Sequence, residues 1–333
     1  MSDPTGGPAM AKLSYAKALN RALRDEMARD PAVFVLGEDM SCAVGNMTTG
    51  LAERFGPRRV LETPISEQGF TNFATGAALA GRRPVVEYQI GCLLMLVFEQ
   101  IANQANRFSL TSGGRFRVPV TYVLPGAGAR PDWGAHHCDE PYSLFAHMGV
   151  KTVVPATPAD AYGLLVSAIR DDDPVVVCAP IPVLGLREDT DYAALRPVPL
   201  GTGRVCRAGT DVTVVAIGQH VHDALEVAAG LQGEVSVEVI DPRTVYPFDW
   251  ELLERSLART GRLVVIDDSN RSCGMGAEIT ASAAERMRLT ARPLRVTRPD
   301  AAVLGLGPEL DLAMAPGREQ LAAAVRQAVS SRW

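Results

Sequence analysis

The sequence predicts an α/β protein built from two doubly wound domains, and three observations lead to that prediction. Short apolar runs alternate with helical patterns over almost the whole chain, which is typical of a largely parallel sheet covered by helices on both faces. A length of 333 residues is enough for two domains. Between the two alternating halves, residues 186–205 contain aspartate, proline and glycine with little periodicity, so this segment is predicted to be a linker.

The first predicted domain spans residues 13–185 and follows a flexible tail, residues 1–12, that is rich in proline and glycine. Apolar residues at four-residue spacing between Ser14 and Pro31 predict an amphipathic helix with a cap and a proline stop. The further elements predicted in this half are the strands Val33–Leu36, Pro84–Tyr88, Val118–Leu124, Val150–Val154 and Pro174–Cys178, a helix after Ser66, and the helices Leu94–Leu110 and Asp160–Ile169.

The second predicted domain spans residues 206–333 and repeats the alternation of strands and helices. Its predicted strands are Val212–Ile217, Val235–Ile240, Arg262–Ile266 and Leu294–Thr297. Its predicted helices are His222–Gly230, Asp249–Thr260, Gly274–Arg288 and Gly317–Val329. This pattern predicts a second, smaller doubly wound domain.

Composition and charge argue against several classes of protein. The chain is 47% hydrophobic and 21% charged, which is typical of a globular protein with a large core. A formal net charge of −5 and the lack of basic runs argue against a surface for nucleic acid or anionic membranes. The six cysteines are scattered without a Cys-x-x-Cys pair, and no segment is typical of a signal peptide or a membrane span. We therefore expect reduced thiols and a cytoplasmic location.

The stretch Leu61–Gly81 contains the strongest candidate for a chemical role. Pro64 and Ser66 are typical of a helix start, with Ser66 able to cap free backbone N–H groups. After Glu67 the stretch has no ionisable side chain, and its small residues predict a helix that is buried on more than one side. Glu67 is either a first-turn carboxylate favoured by the helix dipole or a buried acid that handles a proton. The residue types alone leave both interpretations open.

Several short motifs follow one another in an order that resembles a known family. They are Gly37-Glu38-Asp39, Thr63-Pro64-Ile65-Ser66-Glu67-Gln68-Gly69-Phe70, Arg83-Pro84-Val85-Val86-Glu87, Ser112-Gly113-Gly114, Ala168-Ile169-Arg170-Asp171 with Pro174, Asp241-Pro242-Arg243-Thr244 and Gly276-Ala277-Glu278-Ile279. Together they resemble the β subunit of the 2-oxo acid dehydrogenase first component, the thiamine-diphosphate-dependent decarboxylase of the pyruvate, branched-chain and acetoin systems. The resemblance covers nearly the whole chain. It implies a pyrimidine-binding-type domain followed by a transketolase C-terminal-type domain.

This resemblance also implies a reaction and a set of cofactor contacts. The protein would decarboxylate a small 2-oxo acid and pass the acyl unit to a lipoyl-bearing acyltransferase or an acyl carrier protein. Glu67 matches the glutamate that hydrogen-bonds the aminopyrimidine ring of thiamine diphosphate and promotes the imino tautomer that removes the thiazolium C2 proton. Glu38, Gln89 and Leu93 are the other expected cofactor contacts. For Glu38, solvation of a loop at a strand end is the alternative interpretation.

His136 and His137 form the densest polar cluster of the sequence together with Cys138 and Asp139. They lie in a glycine-bounded loop after a predicted strand, where ligand sites of open α/β sheets form. An exposed pair without a role is the alternative, and adjacent histidines alone are weak support for a metal site. The resemblance implies that His137, and less directly His136, faces substrate and lipoyl arm. There an imidazole hydrogen-bonds the oxo-acid carboxylate or transfers a proton.

A missing signature implies a partner. The Gly-Asp-Gly…Asn-Asn pattern that holds Mg²⁺ and diphosphate in thiamine enzymes does not occur in this sequence. The resemblance therefore implies an α subunit that holds Mg²⁺ and the diphosphate, in an α₂β₂ heterotetramer. It further implies a monovalent cation such as K⁺ around Val120, Ala168, Asp171 and Asp173. For the two aspartates, a solvated helix end is the alternative interpretation.

The sequence departs from the family around the inferred cleft. Leu93 stands where the family carries an aromatic residue, Cys138-Asp139 replaces Ser-Gln after His137, and the resemblance does not account for Arg130-Pro131-Asp132-Trp133. These departures leave the substrate and the acyl acceptor open. Acyl transfer to a carrier-protein thiol and a catalytically silent partner subunit are the alternatives. A free-standing NAD-dependent oxidoreductase is disfavoured, because no dinucleotide fingerprint occurs in a strand–turn–helix context.

Overall fold

The computed structural model describes residues 11–40, 46–128, 134–190, 192–300 and 307–331. The strands of these residues, numbered β1 to β14 in chain order, are Ala11–Ser14, Val33–Gly37, Val60–Glu62, Arg83–Glu87, Thr121–Ala127, Lys151–Val153, Val175–Pro180, Arg187–Thr190, Arg204–Arg207, Val212–Ala216, Val237–Asp241, Thr244–Tyr246, Leu263–Asn270 and Leu294–Arg298. The α-helices, numbered α1 to α12, are Tyr15–Arg29, Leu51–Phe55, Glu67–Leu79, Leu93–Leu96, Asn106–Thr111, Tyr142–His147, Pro158–Arg170, His220–Gly230, Trp250–Thr260, Met275–Arg286, Pro308–Met314 and Arg318–Ser330.

The first half of the chain supplies six strands of a seven-stranded sheet with the order β12-β6-β7-β5-β4-β2-β3. All neighbouring strands are parallel except β12, which runs antiparallel to β6. Helix α1 packs with α7, and both bury apolar side chains against the sheet. The hydroxyl of Ser14 accepts a hydrogen bond from the backbone N–H of Lys17 at 3.3 Å, which confirms the predicted cap of α1.

The second half builds a five-stranded sheet in the order β14-β13-β10-β11-β9, parallel except for the edge strand β9. Its strands and helices lie within a few residues of the predicted ones. The predicted fold class, α/β with two doubly wound domains, is therefore confirmed. Among the described residues, no helix has the length and apolar character required to cross a bilayer.

Two predictions about the chain path need correction, and one strand lies in a sheet that the sequence did not indicate. Residues 186–205 are not irregular throughout, because β8 pairs antiparallel with β1 and Arg204 begins β9. Lys12 lies in β1 rather than in a loose tail. Strand β12 comes from the second half of the chain but joins the first sheet. All three depend on pairing between distant residues, and the charged strand β8 shows no apolar alternation that could announce it. The domain limits themselves stay a prediction.

The predicted helix Leu94–Leu110 is broken into three pieces. A short α-helix, α4, is followed by a π-helical segment, Gln100–Ala105, and then by α5. A continuous run of apolar residues does not distinguish the α-helical from the π-helical hydrogen-bond register, so the sequence predicted one helix. The unaccounted segment 130–133 and most of the predicted tail lie outside the described residues.

Candidate active site

The carboxyl ends of β2, β3, β4 and β5 meet at one edge of the seven-stranded sheet. After β2 the chain adds β3 on one side of it and β4 on the other, so the strand order reverses at β2. A crevice outside the carboxyl ends of the strands is expected at such a switch point. Of the predicted cofactor residues, Glu38 directly follows β2, Gln89 follows β4 after Tyr88, and Glu67 follows β3 after a short turn.

Glu67 is the first residue of α3 and is 9% exposed. The Thr71 hydroxyl donates to the Glu67 carbonyl oxygen at 2.5 Å and lies 2.5 Å from the Tyr88 hydroxyl, which therefore donates to it. These two bonds tie the first turn of α3 to the end of β4. The predicted side-chain cap by Ser66 was wrong, because the Ser66 side chain accepts no N–H of the helix.

Glu38 is buried beside Glu67. Its Oε2 has no hydrogen-bond partner among the described residues. Burial raises the pKa of the Glu38 carboxyl, and the nearby charges of Glu67 and Asp39 raise it further. The side-chain amide of Gln89 donates to the Glu38 carbonyl oxygen at 2.9 Å. The structure thus brings together three of the four residues predicted to contact a cofactor.

Glu87 is another buried carboxyl at this edge of the sheet, and sequence reasoning did not single it out. It is the last residue of β4, fully buried, and both of its carboxyl oxygens lack a hydrogen-bond partner within the described part of the chain. Burial, with a smaller effect from Glu62, raises the pKa of Glu87 to about 8. The carboxyl is therefore largely protonated at neutral pH. The sequence signal that could have identified Glu87 is a carboxylate at the end of an apolar strand beside the switch point.

The loop that carries His136 and His137, called the histidine loop below, lies against the segment that follows β4. Residues Ala135–His137 form a 3₁₀ turn in which His136 is exposed and His137 is partly buried. The Cys92 thiol donates a hydrogen bond to the His136 carbonyl oxygen. Burial raises the pKa of Cys92 to about 11, so the thiol keeps the proton that it donates. Leu93, the first residue of α4, comes next in the chain and is partly buried against the core.

The residues predicted to surround a monovalent cation lie at the opposite, amino edge of the sheet. Lys151 donates to both carboxylate oxygens of Asp171 at 2.7 and 2.9 Å and to Asp173 at 3.0 Å. The Val120 and Ala168 carbonyl oxygens accept backbone N–H groups at 3.0 and 3.2 Å. Both carboxylates are therefore paired with Lys151 within this chain, which favours the alternative interpretation of a solvated helix end for the two aspartates. The cation site stays a prediction from resemblance.

No cluster of three or more metal-ligating His, Cys, Asp or Glu side chains occurs in the part of the chain that the structure describes.

Comparisons with known proteins agree with this architecture. The family model of the transketolase pyrimidine binding domain matches residues 11–184. The family model of the transketolase C-terminal domain matches residues 201–320. The solved structure of a split-gene transketolase, described as an inactive β4 tetramer, superimposes with a TM-score of 0.80 at 25% identity, covering 97% of this chain and 100% of that chain. The fold and the two matching domain families define a protein of the transketolase type.

Curated relatives narrow this class. The β subunit of acetoin:2,6-dichlorophenolindophenol oxidoreductase of Cupriavidus necator is 36% identical over 332 residues, with 95% of this chain and 97% of that protein covered. The β subunit of the pyruvate dehydrogenase E1 component of Bacillus subtilis is 37% identical over 302 residues, covering 87% and 91%. The chain belongs to this family, the β subunits of thiamine-diphosphate-dependent 2-oxo acid dehydrogenase first components. The resemblance predicted from the motifs is confirmed.

Proposed function

We propose that this chain, together with an α subunit, binds thiamine diphosphate, decarboxylates a 2-oxo acid and transfers the acyl unit to an acceptor. The single observation that carries the proposal is the cluster of Glu67, Glu38 and Gln89 at the switch point of the sheet. Glu38 keeps a buried oxygen without a partner among the described residues, and no ion pair involving Glu67 or Glu38 occurs there. Such a cluster suits a ligand that offers N–H groups.

The residues present fit the aminopyrimidine end of the cofactor. A carboxyl can accept a hydrogen bond from a ring or amino N–H, or donate one when protonated. Glu67 would hold a proton at the ring nitrogen, and Glu38 and Gln89 would line the same crevice. When bound, thiamine diphosphate supplies the carbanion chemistry. The chain positions the ring, controls its protonation and excludes water. The diphosphate and Mg²⁺ would be held by the α subunit, because this sequence lacks their signature.

An exposed face of α3 supports the proposed α subunit. The helix was predicted to be buried on more than one side, yet Phe73 is 55% exposed, Ile65 just before the helix is 76% exposed, and the glycines at 69 and 76 are exposed. The Gln68 amide donates to the Leu96 carbonyl oxygen at 3.2 Å, and the Leu96 side chain is itself exposed. This charge-free patch adjoins Glu67 and suits an obligate interface. We propose that an α subunit covers it, in an α₂β₂ assembly.

His137 is proposed to act on substrate or in acyl transfer, with His136 beside it. The contact between Cys92 and the loop supports this, because it joins the histidines to the segment that carries Gln89 and Leu93. The acceptor is a lipoyl-bearing acyltransferase or an acyl carrier protein. The five cysteines that the structure describes are free thiols, which supports a cytoplasmic location.

The decisive experiment is reconstitution with the α subunit and measurement of CO₂ release from a panel of 2-oxo acids. Glu67→Gln should lower the rate by at least ~100-fold, because proton transfer by a positioned side chain contributes this much. Glu251→Gln is the matched control, since Glu251 is also a first-turn glutamate, in α9, but highly exposed. It should leave the rate unchanged.

An active Glu67→Gln enzyme would reduce Glu67 to a helix-end charge and overturn the mechanism. If a folded, cofactor-loaded complex released no CO₂ with any substrate, the silent-partner alternative would replace the proposal. Lipoyl and carrier-protein acceptors, offered separately to the active complex, would identify the acceptor.

A further inference from the structure

Arg298 is a buried guanidinium placed between the two sheets. It ends β14 and is 1% exposed, which makes it the largest fully buried side chain of the described residues. A buried charge of this kind is costly unless it is paired and hydrogen-bonded. Burial alone would lower the pKa of Arg298, but the charge of Asp268 and its hydrogen bond raise it far above the ordinary value. The guanidinium is therefore charged, and its partners determine what it holds.

One side of the guanidinium is anchored in the second sheet. Its Nε donates to Asp268 Oδ1 at 2.7 Å. Asp268 lies on the neighbouring strand β13, and its Oδ2 accepts a hydrogen bond from the Gln219 amide at 3.0 Å. Both carboxylate oxygens of Asp268 are thus engaged, so the position of Arg298 is set by the second sheet.

The other side reaches the histidine loop. Nη1 donates to the Cys138 carbonyl oxygen at 3.1 Å and lies 3.4 Å from Asp139 Oδ1. Cys138 directly follows His137. On the other side of His137, the His136 carbonyl oxygen accepts the Cys92 thiol from the first domain. The backbone on both sides of His137 is therefore held, by Cys92 before it and by Arg298 after it.

A small cavity adjoins this contact. It has a volume of about 210 Å³ and is lined by Arg298, Glu140 and Met95 among others. Arg298 Nη2 and Glu140 Oε2 both lack a hydrogen-bond partner within the described residues. The guanidinium therefore has room on this side, and a shorter or uncharged side chain at this position would leave the loop free to shift into the cavity.

We propose that Arg298 is a positioning residue that fixes the imidazole of His137 by clamping the Cys138 carbonyl to the second sheet. The clamp makes the placement of a histidine on the first domain depend on the second domain. This inference rests on the proposed function, in which His137 acts on substrate or in acyl transfer. Displacement of a reacting group by about 1 Å can cost ~100-fold in rate, so loss of the clamp should be visible in turnover.

The test compares Arg298→Lys and Arg298→Met with Arg243→Lys in the reconstituted complex. Arg243 is the matched control, because it is also largely buried and forms a 2.7 Å ion pair with Asp160, while none of its polar contacts among the described residues reaches the histidine loop. We expect acyl transfer to fall at least ~10-fold in both Arg298 variants, mainly through kcat, and to change little in Arg243→Lys. Arg298→Lys keeps the charge beside Asp268, so it separates loss of the clamp from failure to fold.

A double-mutant cycle with His137→Ala then tests whether Arg298 acts through the histidine. We expect Arg298→Lys to cause no further loss in the His137→Ala background, because the positioned group is gone. Additive losses would overturn the proposal. If His137→Ala alone left turnover unchanged, the proposed role of His137 would fail, and turnover could no longer report on the clamp.

A second readout separates these two failures. The full chain has only five histidines, so ¹³C-labelled imidazole signals can be assigned with His137→Gln. In Arg298→Met the His137 signal should shift or broaden, while the other signals stay in place. An unchanged His137 signal in the folded variant would overturn the clamp, whatever the activity of the His137 variants.

Discussion

The two edges of the seven-stranded sheet treat their carboxylates in opposite ways. At the amino edge, Asp171 and Asp173 share the ammonium of Lys151, Asp173 also accepts a hydrogen bond from Arg117 at 2.8 Å, and Glu26 is paired with Arg170 at 2.7 Å. At the carboxyl edge, Glu38 and Glu87 keep buried oxygens without a partner among the described residues.

The difference teaches where a ligand can bind. A carboxylate that is already paired with a basic side chain of the same chain has less capacity to bind a ligand. Such a pair mainly stabilises the fold. A buried carboxyl without a partner pays a desolvation cost that this chain does not offset, and its pKa rises. Such groups cluster at functional sites. We therefore propose that the amino edge of this sheet is structural and that its carboxyl edge binds the ligand.

The largest expected effect tests the unpaired edge through the pH dependence of stability. The folded pKa of Glu87 is about 8, above its ordinary value of 4.5. As the pH rises between these values, the unfolded chain loses this proton first, so the folded state binds more protons and stability falls. The free energy of unfolding of the wild type should fall by about 1.4 kcal/mol per pH unit over this range. Glu87→Gln stays neutral and should lack this loss, so its advantage over the wild type should grow from pH 5 to pH 8.

Unfolding of the chain by guanidinium chloride at several pH values measures this effect. Glu251→Gln, which removes an exposed carboxylate, should run parallel to the wild type over the same range. If the stability of Glu87→Gln changed with pH in parallel with that of the wild type, Glu87 would have a partner in solution. The proposed difference between the two edges would then be wrong.

A smaller effect is expected from the paired edge. The Glu26 side chain is 1% exposed and accepts hydrogen bonds from Arg170 at 2.7 and 3.0 Å. Glu26→Gln preserves its shape but removes the charge, which should lower the free energy of unfolding by about 2 kcal/mol. The neighbouring pair of Asp25 and Arg21 is partly exposed, so Asp25→Asn should cost about 1 kcal/mol or less. Equal costs for the two variants would contradict the interpretation.

The smallest effect sharpens the question of the cation. The side chains of Lys151, Asp171 and Asp173 are 20–33% exposed, so Lys151→Met should cost only about 1 kcal/mol. It would, however, free the carboxylate oxygens for K⁺. The melting temperature of Lys151→Met should then rise in potassium chloride relative to tetramethylammonium chloride, while the wild type and the exposed-site control Lys17→Met should respond equally little. If potassium chloride stabilised the wild type and tetramethylammonium chloride did not, the result would support the predicted cation site.

Much of the candidate site could be predicted from the sequence because strand ends are local features. Apolar runs located β2 and β4, and Glu38 and Gln89, which the resemblance named, follow these strands at one edge of a parallel sheet. Glu67 was found from its motif, which lies at the start of α3. Glu87 was not singled out, because its free oxygens depend on which side chains the folded chain does not bring near.

The sequence by itself determined the α/β alternation and the family, and through the family resemblance it named Glu38, Glu67 and Gln89, because periodicity and motifs are properties of contiguous stretches. Only the tertiary structure decided that β12 joins the first sheet, that β8 pairs with β1 and that Arg298 reaches the backbone beside His137. Ala11 in β1 pairs with Thr190 in β8, and Arg298 lies 160 positions from Cys138 in the chain. No local pattern specifies such a pairing, because it is selected by the packing of whole sheets and by the cost of burying a charge without a partner.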